Sequence, residues 1–313
     1  MLGIPTDILV LAVAVLLDLV VGEFPNRLHP TVWMGKTVSW AEKLAPQGLG
    51  GALLAGALLA LLIPGGWAAA AYFVGEGLQS LHDLAYILVG GVLLKSTFSL
   101  RMLHRVAAQV RSLLLAGDLQ RVRAEMRSLV SRDASSLSPE QATAATVESV
   151  SENITDSFVG PWLAFALFGL PGAFAYRAIN TLDSMIGYHG KYEYLGKASA
   201  KLDDLTNLVP ARLTALLLVL GSGVLPGQRA ASAWRIMWRD HGRTESPNAG
   251  WTMSGMAGAL GVALEKEGHY RLGEETRPLE PQDISRAIQT MYLVAALGAA
   301  IALGLIVLRH EFF

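Results

Sequence analysis

Five short stretches of this sequence concentrate side chains capable of chemistry. The first is Glu148-Ser-Val-Ser-Glu152-Asn153-Ile-Thr-Asp156. On a helix its three acids stand four residues apart and share one face. Three like charges in a row call for a cation: Mg2+, an arginine or a cationic substrate. An all-oxygen ligand set suits Mg2+, which takes one or two carboxylates and completes its shell with substrate phosphates and water. The plain alternative is a solvated acidic face. The stripe runs directly into an apolar segment at Phe158, however, and ionisable groups at membrane depth are functional by default.

The second stretch is Tyr176-Arg177-Ala-Ile-Asn180-Thr-Leu-Asp183-Ser184-Met-Ile-Gly187-Tyr188, in which Asn180, Asp183 and Ser184 share a helix face. The third is Lys201-Leu-Asp203-Asp204-Leu-Thr-Asn207, followed by Pro210 and Arg212. Asp and Asn sets beside arginines suit a metal-bound phosphate; the alternative is hydrogen-bond glue between helices. The fourth stretch, Gly22-Glu-Phe-Pro-Asn26-Arg27-Leu-His29-Pro30-Thr-Val-Trp33-Met-Gly35-Lys36, follows an apolar run that contains Asp18. His29 there could serve as a base, a ligand or a phosphate contact, or be structural. Gly35-Lys36-Thr37 imitates the end of a P-loop, but that pattern needs Gly where Pro30 stands. The fifth gathers Trp238-Arg239-Asp240-His241, Ser246-Pro-Asn248-Ala-Gly250-Trp251 and Met256-Ala-Gly-Ala-Leu-Gly261. Arg239 and His241 could bind phosphate or simply lie in a basic loop.

The elements that must position these stretches are membrane helices. The 313-residue chain is 52% hydrophobic and only 16% charged, with a mean hydropathy of +0.40, whereas a soluble domain carries about 25% charged residues. A net charge of −1 offers no field to recruit nucleic acid. With no cysteine, thiolate chemistry and disulfides are excluded. The fold class expected is all-α: a polytopic helical membrane protein with four to six membrane segments and cytoplasmic helical loops. Residues 1–313 read as one integral membrane domain. Ile8–Val21, Gly51–Val74, Leu84–Leu94 (extended towards Leu100) and Ile288–Leu308 are the strong spans. The first is not a cleavable signal, because no basic residue precedes it.

Two apolar segments, Phe158–Leu170 and Leu213–Leu225, are too short to cross alone. Residues 158–225 therefore read as broken or re-entrant, with their polar motifs lining a protein-walled cavity. Residues 95–157 and 226–287 carry eight Lys or Arg each and are placed in the cytoplasm, as a helical insertion and a loop. Ser138-Pro139-Glu140-Gln141 predicts a helix start with a capping box, and Gly117 predicts a helix stop. One site built from all five stretches requires 177–204 to return to the cytoplasmic side.

Together these stretches resemble the CbiB/CobD family of cobalamin biosynthesis, the adenosylcobinamide-phosphate synthases, nearly end to end. The likeness rests on Leu-Asp18-Leu, Asn26-Arg-Leu-His29-Pro-Thr-Val-Trp33-Met-Gly, Arg132-Asp133, the 148–156 string and Pro161. It continues through the 176–188 string, Leu202-Asp-Asp204-Leu-Thr-Asn207, Pro210-Ala-Arg212-Leu-Thr, and the Ser246-to-Trp251 and Met256-to-Gly261 strings. Gly22-Glu-Phe-Pro departs from the family's more usual Gly-Asp-Pro-Pro but keeps the charge.

The resemblance implies an amide ligase that uses ATP and Mg2+. It joins a propionate of adenosylcobyric acid to the amine of (R)-1-aminopropan-2-ol phosphate or a related amino-alcohol phosphate; the corrinoid is substrate. It further implies a multi-pass protein of the inner membrane, a cytoplasmic site, and contact with other membrane enzymes of nucleotide-loop assembly. On that reading Glu148, Glu152, Asp156, Asp183 and Asp204 are candidates to hold Mg2+, and His29, Glu152 and Asp183 are candidates for the chemistry. Arg177, Arg212 and Arg239 would clamp phosphates, Trp33 and Trp251 would pack on the corrin, and Arg27, Asn153, Asn180, Asn207 and Asn248 would bind substrate. Two other readings were weighed: an intramembrane prenyltransferase using its Asp and Asn motifs on Mg-diphosphate, and a non-enzymatic AmpE-like signalling protein. A transporter is a third, which the absence of inverted halves weakens.

Overall fold

A computed structural model describes residues 5–46, 48–127, 134–188 and 190–312. Arg132 and Asp133, which contribute to the resemblance, lie outside them. Among the described residues, four helical runs are long and apolar enough to cross a membrane: Leu49–Leu81, Asp83–Leu115, Pro139–Ile186 and Gln282–Phe312. A fifth arises if the bent pair Lys197–Thr206 and Leu208–Ser222 is one span. Leu54, Leu61, Leu62 and Phe73 on the first run are exposed, as a lipid-facing surface requires. This is a polytopic helical membrane protein.

The contacts within the chain group it into two compact units. Unit 1 comprises Met1–Ser99, Asp156–Asn207 and Ala299–Phe313; unit 2 comprises Leu100–Thr155 and Leu208–Gly298. In unit 1, α1 (Thr6–Val20), α3 (Leu49–Leu81) and α4 (Asp83–Lys95) are apolar helices, and α2 (Pro30–Leu44) starts on a helix-initiating proline. The C-terminal end of α13 (Gln282–Phe312) completes the unit.

The central feature of unit 1 is a helical hairpin. It begins with a π-helical turn, Thr155–Val159, and continues as α8 (Gly160–Ile186). Although α8 is continuous by hydrogen bonding, Gly169 adopts φ 66°, ψ −157° and Pro171 follows it. Only glycine takes that conformation without strain, and the chain reverses there. In a straight helix Asp156 and Arg177 would lie about 31 Å apart. Instead Arg177 Nη2 donates to the Asp156 carbonyl at 3.3 Å. A Cβ on Gly160 would fall 2.2 Å from the Tyr176 ring, and one on Gly172 would fall 2.3 Å from the Ala164 carbonyl.

The hairpin tip reaches the far end of unit 1. There Gly169 lines a hollow with Asp7, Tyr86 and Arg309. Arg309 pairs with Asp7, Tyr86 donates to the same carboxylate at 2.7 Å, and Arg309 Nη1 donates to the Phe165 carbonyl at 3.1 Å. Residues 177–204 thus return to the end of unit 1 that carries the 21–29 loop and Lys95–Ser99. The second limb, from Pro171 onward, carries Arg177, Asn180 and Asp183. It is accommodated by burying Phe174, Tyr176, Ile179, Leu182 and Ile186 in protein. After it, α9 (Lys197–Thr206) leads to Asn207, the last residue of this part of unit 1.

Unit 2 contains α5 (Leu100–Leu115), α6 (Leu119–Met126), α7 (Pro139–Ile154), α10 (Leu208–Ser222), α11 (Ala230–Asp240) and α12 (Ala249–Leu260). Ser138 and Gln141 make the reciprocal bonds of the expected capping box. Gly117, just beyond α5, has the positive φ of a helix stop. Residues 226–287 are more than a loop. Every residue of α12 after Ala249 is buried, and an antiparallel pair, β1 (Ala263–Lys266) and β2 (Tyr270–Gly273), follows it. Asp240 fastens that hairpin: it accepts from the Gly273 amide at 2.9 Å and pairs with Arg239 and Arg243.

Candidate functional site

At the returning end of unit 1, segments far apart in sequence converge. The Tyr176 hydroxyl donates to Asn207 Oδ1 at 2.5 Å and lies 3.4 Å from Asp156 Oδ1. Asn207 in turn donates to Asp203 Oδ2 at 3.0 Å. Arg177 donates to the Thr97 carbonyl at 2.5 Å and to Asn180 Oδ1 at 3.0 Å. Its charge is felt by Asp156, Asp203 and Glu23. The hairpin brings these groups together: the first limb carries Asp156, the second Tyr176, Arg177 and Asn180, and α9 presents Asp203 and Asn207.

Beside them, at the end of α1 and α4, is a second polar group. Lys95 is fully buried between Asp18 at 3.1 Å and Glu23 at 3.0 Å. Glu23 Oε2 meets His29 Nε2 at 2.9 Å, and Ser99 donates to Glu23 Oε1 at 2.6 Å. Burial pushes the Glu23 carboxyl up, but the hydrogen bonds from His29 and Ser99 and the charge of Lys95 outweigh it and hold the group at about 2. Arg27 is exposed, and its carbonyl accepts from Trp33 Nε1 at 3.1 Å, which fixes the half-exposed indole over the loop.

Asp183 stands one turn before Gly187, whose amide caps the Asp183 carbonyl at 2.7 Å. Asp204, whose charge is felt by the neighbouring Asp203, lines a cavity of about 230 Å³ with Gly187, Tyr188, Lys197 and Lys201.

In unit 2, the Arg212 guanidinium donates to Asn248 Oδ1 at 3.0 Å and sits 5.0 Å over the Trp251 ring. His241 stacks on Trp251 at 4.0 Å. Asn153 donates back to the Ser149 carbonyl of its own helix at 2.8 Å. Arg239 engages Asp240 and Glu274, so its guanidinium clamps the β-hairpin to α11. The single acidic face expected for 148–156 is not continuous. Glu148 is buried, Glu152 is exposed, and the regular helix gives way at Thr155 to a wider π turn before Asp156. Among the described residues no three Asp, Glu or His side chains converge on one point. Any hard cation held here would take one or two protein carboxylates.

Sequence reasoning did not single out Lys95, Glu23 or Tyr176 as site residues. Lys95 ends an apolar helix and resembled an ordinary boundary charge. The usable signal was pairing: a lysine at the end of one span and Asp18 near the end of another imply a buried ion pair.

The family model described as CobD/Cbib protein matches residues 11–291. The chain belongs to the CobD/CbiB family. It is 43% identical over 300 residues to "Cobalamin biosynthesis protein CobD" of Dehalococcoides mccartyi, covering 96% of this chain and 97% of that one. It is 39% identical over 300 residues to "Probable cobalamin biosynthesis protein CobD" of Methanothermobacter thermautotrophicus, covering 96% and 98%. Against "Cobalamin biosynthesis protein CobD" of Klebsiella pneumoniae the identity is 35% over 309 residues, covering 93% and 95%. No solved structure matches. CobD/CbiB membership and these relatives support a role in cobalamin biosynthesis.

Proposed function

We propose that this CobD/CbiB protein is an adenosylcobinamide-phosphate synthase. It joins adenosylcobyric acid to (R)-1-aminopropan-2-ol phosphate, or a related amino-alcohol phosphate, in a reaction that consumes ATP and requires Mg2+. The observation that carries the reading is the convergence of Arg177 with Asp156, Asp203 and Asn207 around the Tyr176 hydroxyl. A guanidinium beside two carboxylates and two amides suits a phosphate and its hard cation.

A carboxylate does not acylate an amine until it is activated, and ATP consumption makes an acyl phosphate the natural route. The propionate takes the terminal phosphoryl group and releases ADP; the amine then displaces phosphate to form the amide. Arg177, oriented by Thr97 and Asn180, neutralises phosphate charge as it develops. Asp156 and Asp203 would hold Mg2+, which when bound supplies further charge neutralisation on phosphate. His29 takes a proton from the attacking amine. Within unit 2, Arg212, Asn248 and Trp251 offer a cation, an amide and an aromatic face, groups of the kind that a large, partly apolar ligand takes. The basic residues of the 23–50 loop support a cytoplasmic position for this end of unit 1, the side on which ATP is available.

The test is an assay on membranes that contain the protein, supplied with adenosylcobyric acid, amino-alcohol phosphate, ATP and Mg2+, omitting each in turn. Product should require all four. Asp203→Asn and Arg177→Lys should each lower kcat at least tenfold with normal membrane insertion. Product that persists without ATP, or full activity in both variants, refutes the reading.

A further inference from the structure

The Asp18–Lys95–Glu23–His29 chain is a buried ionic group that binding of phosphate does not explain. The Lys95 ammonium has three N–H donors. It donates to Glu23 Oε1 at 3.0 Å and to the Phe98 carbonyl at 3.3 Å, and pairs by charge with Asp18 Oδ1 at 3.1 Å. With no exposed surface, Lys95 acts on its protein neighbours only. Glu23 Oε1 is taken by Lys95 and Ser99, and this leaves Oε2 for His29. An ionised carboxylate can only accept, so His29 Nε2 carries the proton and the neutral ring leaves Nδ1 as a bare lone pair. That nitrogen is buried and has no hydrogen-bond partner among the described residues.

We infer that Glu23 is a positioning residue that fixes the tautomer and direction of His29, with the Lys95–Asp18 pair anchoring Glu23 in its ionised, oriented form. The inference rests on the ligase reading for the identity of the proton donor, but the geometry of His29 is independent of it. A carboxylate holding the far nitrogen is the usual way to aim an imidazole base and stabilise the imidazolium that forms. The charge count agrees. Lys95 contributes one positive charge against two carboxylates, so a proton arriving on His29 neutralises the group. Arg177, on α8, also reaches Glu23, but its charge is matched by Asp156 and Asp203. Ser99 and Thr31, the other polar neighbours of this corner, are uncharged.

The reaction test is a double-mutant cycle on the full-length membrane protein, with rates expressed per folded molecule. Glu23→Gln should lower kcat about tenfold to a hundredfold, within the usual worth of an acid–base group, and leave both substrate KM values within about twofold. It should also move the acid limb of the pH–rate profile to lower pH, because the imidazolium loses its counter-charge. In a His29→Gln background the same change should have no further effect on the residual rate, since a residue acting through His29 has nothing left to orient. Independent multiplication of the two losses, or an unmoved acid limb, overturns the inference.

A second measurement does not depend on the ligase activity. Imidazole nitrogen NMR of histidine-labelled protein, assigned by loss of the signal in His29→Gln, should show Nε2 protonated and Nδ1 bare. Glu23→Leu should abolish that preference. If the wild type makes no product but the tautomer is as described, the ligase reading fails and the positioning stands. If product forms while Nδ1 carries the proton, the positioning fails and the ligase reading stands.

Discussion

Gly160→Ala should separate the two limbs of the hairpin and disable the site at its base. The added methyl would sit 2.2 Å from Tyr176 Cζ and its hydroxyl oxygen. Ordinary carbon contacts begin near 3.5 Å, so the limbs must part by about 1 Å or more. Overpacking of this kind costs roughly 1–3 kcal/mol. The displacement is aimed at the residue whose hydroxyl holds Asn207 at 2.5 Å, so the cost falls on the Tyr176–Asn207–Asp203 chain and the Asp156 carboxylate beside it. A misplacement of about 1 Å at reacting groups costs on the order of 100-fold in rate. Two assays measure this. Amide formation per milligram of purified protein in detergent should fall about 100-fold, and the melting temperature should fall by roughly 2–4 °C per kcal/mol lost. Gly65→Ala is the control: its Cβ meets nothing within 4 Å on α3, and glycine in a helix interior is about 0.5–1 kcal/mol worse than alanine. That variant should melt no lower than the wild type and keep its rate. If Gly160→Ala behaves like Gly65→Ala in both assays, the limbs do not pack as described and the reversal at Gly169 is wrong.

Two further outcomes follow from other parts of unit 1. Arg309→Ala removes the partner of the poorly exposed Asp7 and a donor to the Phe165 carbonyl; it should lower the melting temperature by several degrees, as loss of a half-buried charged bond of about 1.5–3 kcal/mol requires, while the rate per folded molecule stays within about twofold because the far end of the hairpin touches no reacting group. Glu23 is held at about 2 against an ordinary 4.5, so its stabilising contribution is complete above pH 4.5 and is lost as pH falls towards 2. The difference in melting temperature between wild type and Glu23→Gln should therefore be largest near pH 6 and shrink in scans below pH 4.5; a constant difference across that range contradicts the assignment.

Local signals in the sequence were legible wherever a short-range rule decides the structure. The Ser138–Gln141 capping box, the stop at Gly117 and the final helix all follow from neighbours within a few residues. The hairpin was half legible. Phe158–Leu170 is too short to cross and return, which implied a break, and Gly169-Leu-Pro171 marks the place. Its second limb was hidden because membrane hydropathy assumes that a helix meets lipid. Pro171–Ile186 meets protein instead, so Arg177, Asn180 and Asp183 are tolerated on it. The π turn at Thr155 was not legible, since nothing in Ile154-Thr-Asp156 distinguishes it from ordinary helix, and it is what interrupts the expected acidic stripe. The β1–β2 pair escaped because two four-residue strands give little alternation to read.

Helix–helix glue remains the natural competing account of so many polar residues, and hydrogen-bond satisfaction separates the two. Glue is internally paired: Lys95, donating to Glu23 and the Phe98 carbonyl and ion-paired with Asp18, is what a purely structural group looks like. A buried polar atom without a partner costs about 1–3 kcal/mol, and apolar packing of the same volume would often be more stable. In unit 1 His29 Nδ1 is buried and without a hydrogen-bond partner, one bond away from a carboxylate that Lys95 holds in place. In unit 2 the Trp251 Nε1 is likewise buried without a partner, on an indole that Arg212 and His241 both contact. Buried atoms without a partner occur elsewhere too, Trp162 Nε1 among them, so an unmet atom alone does not mark a site. An unmet atom beside an ion-paired carboxylate or between a guanidinium and an imidazole is different, because a hydrogen-bonding ligand gives it a partner there, and that makes the bonded residues the scaffold and the unmet atoms the contact points.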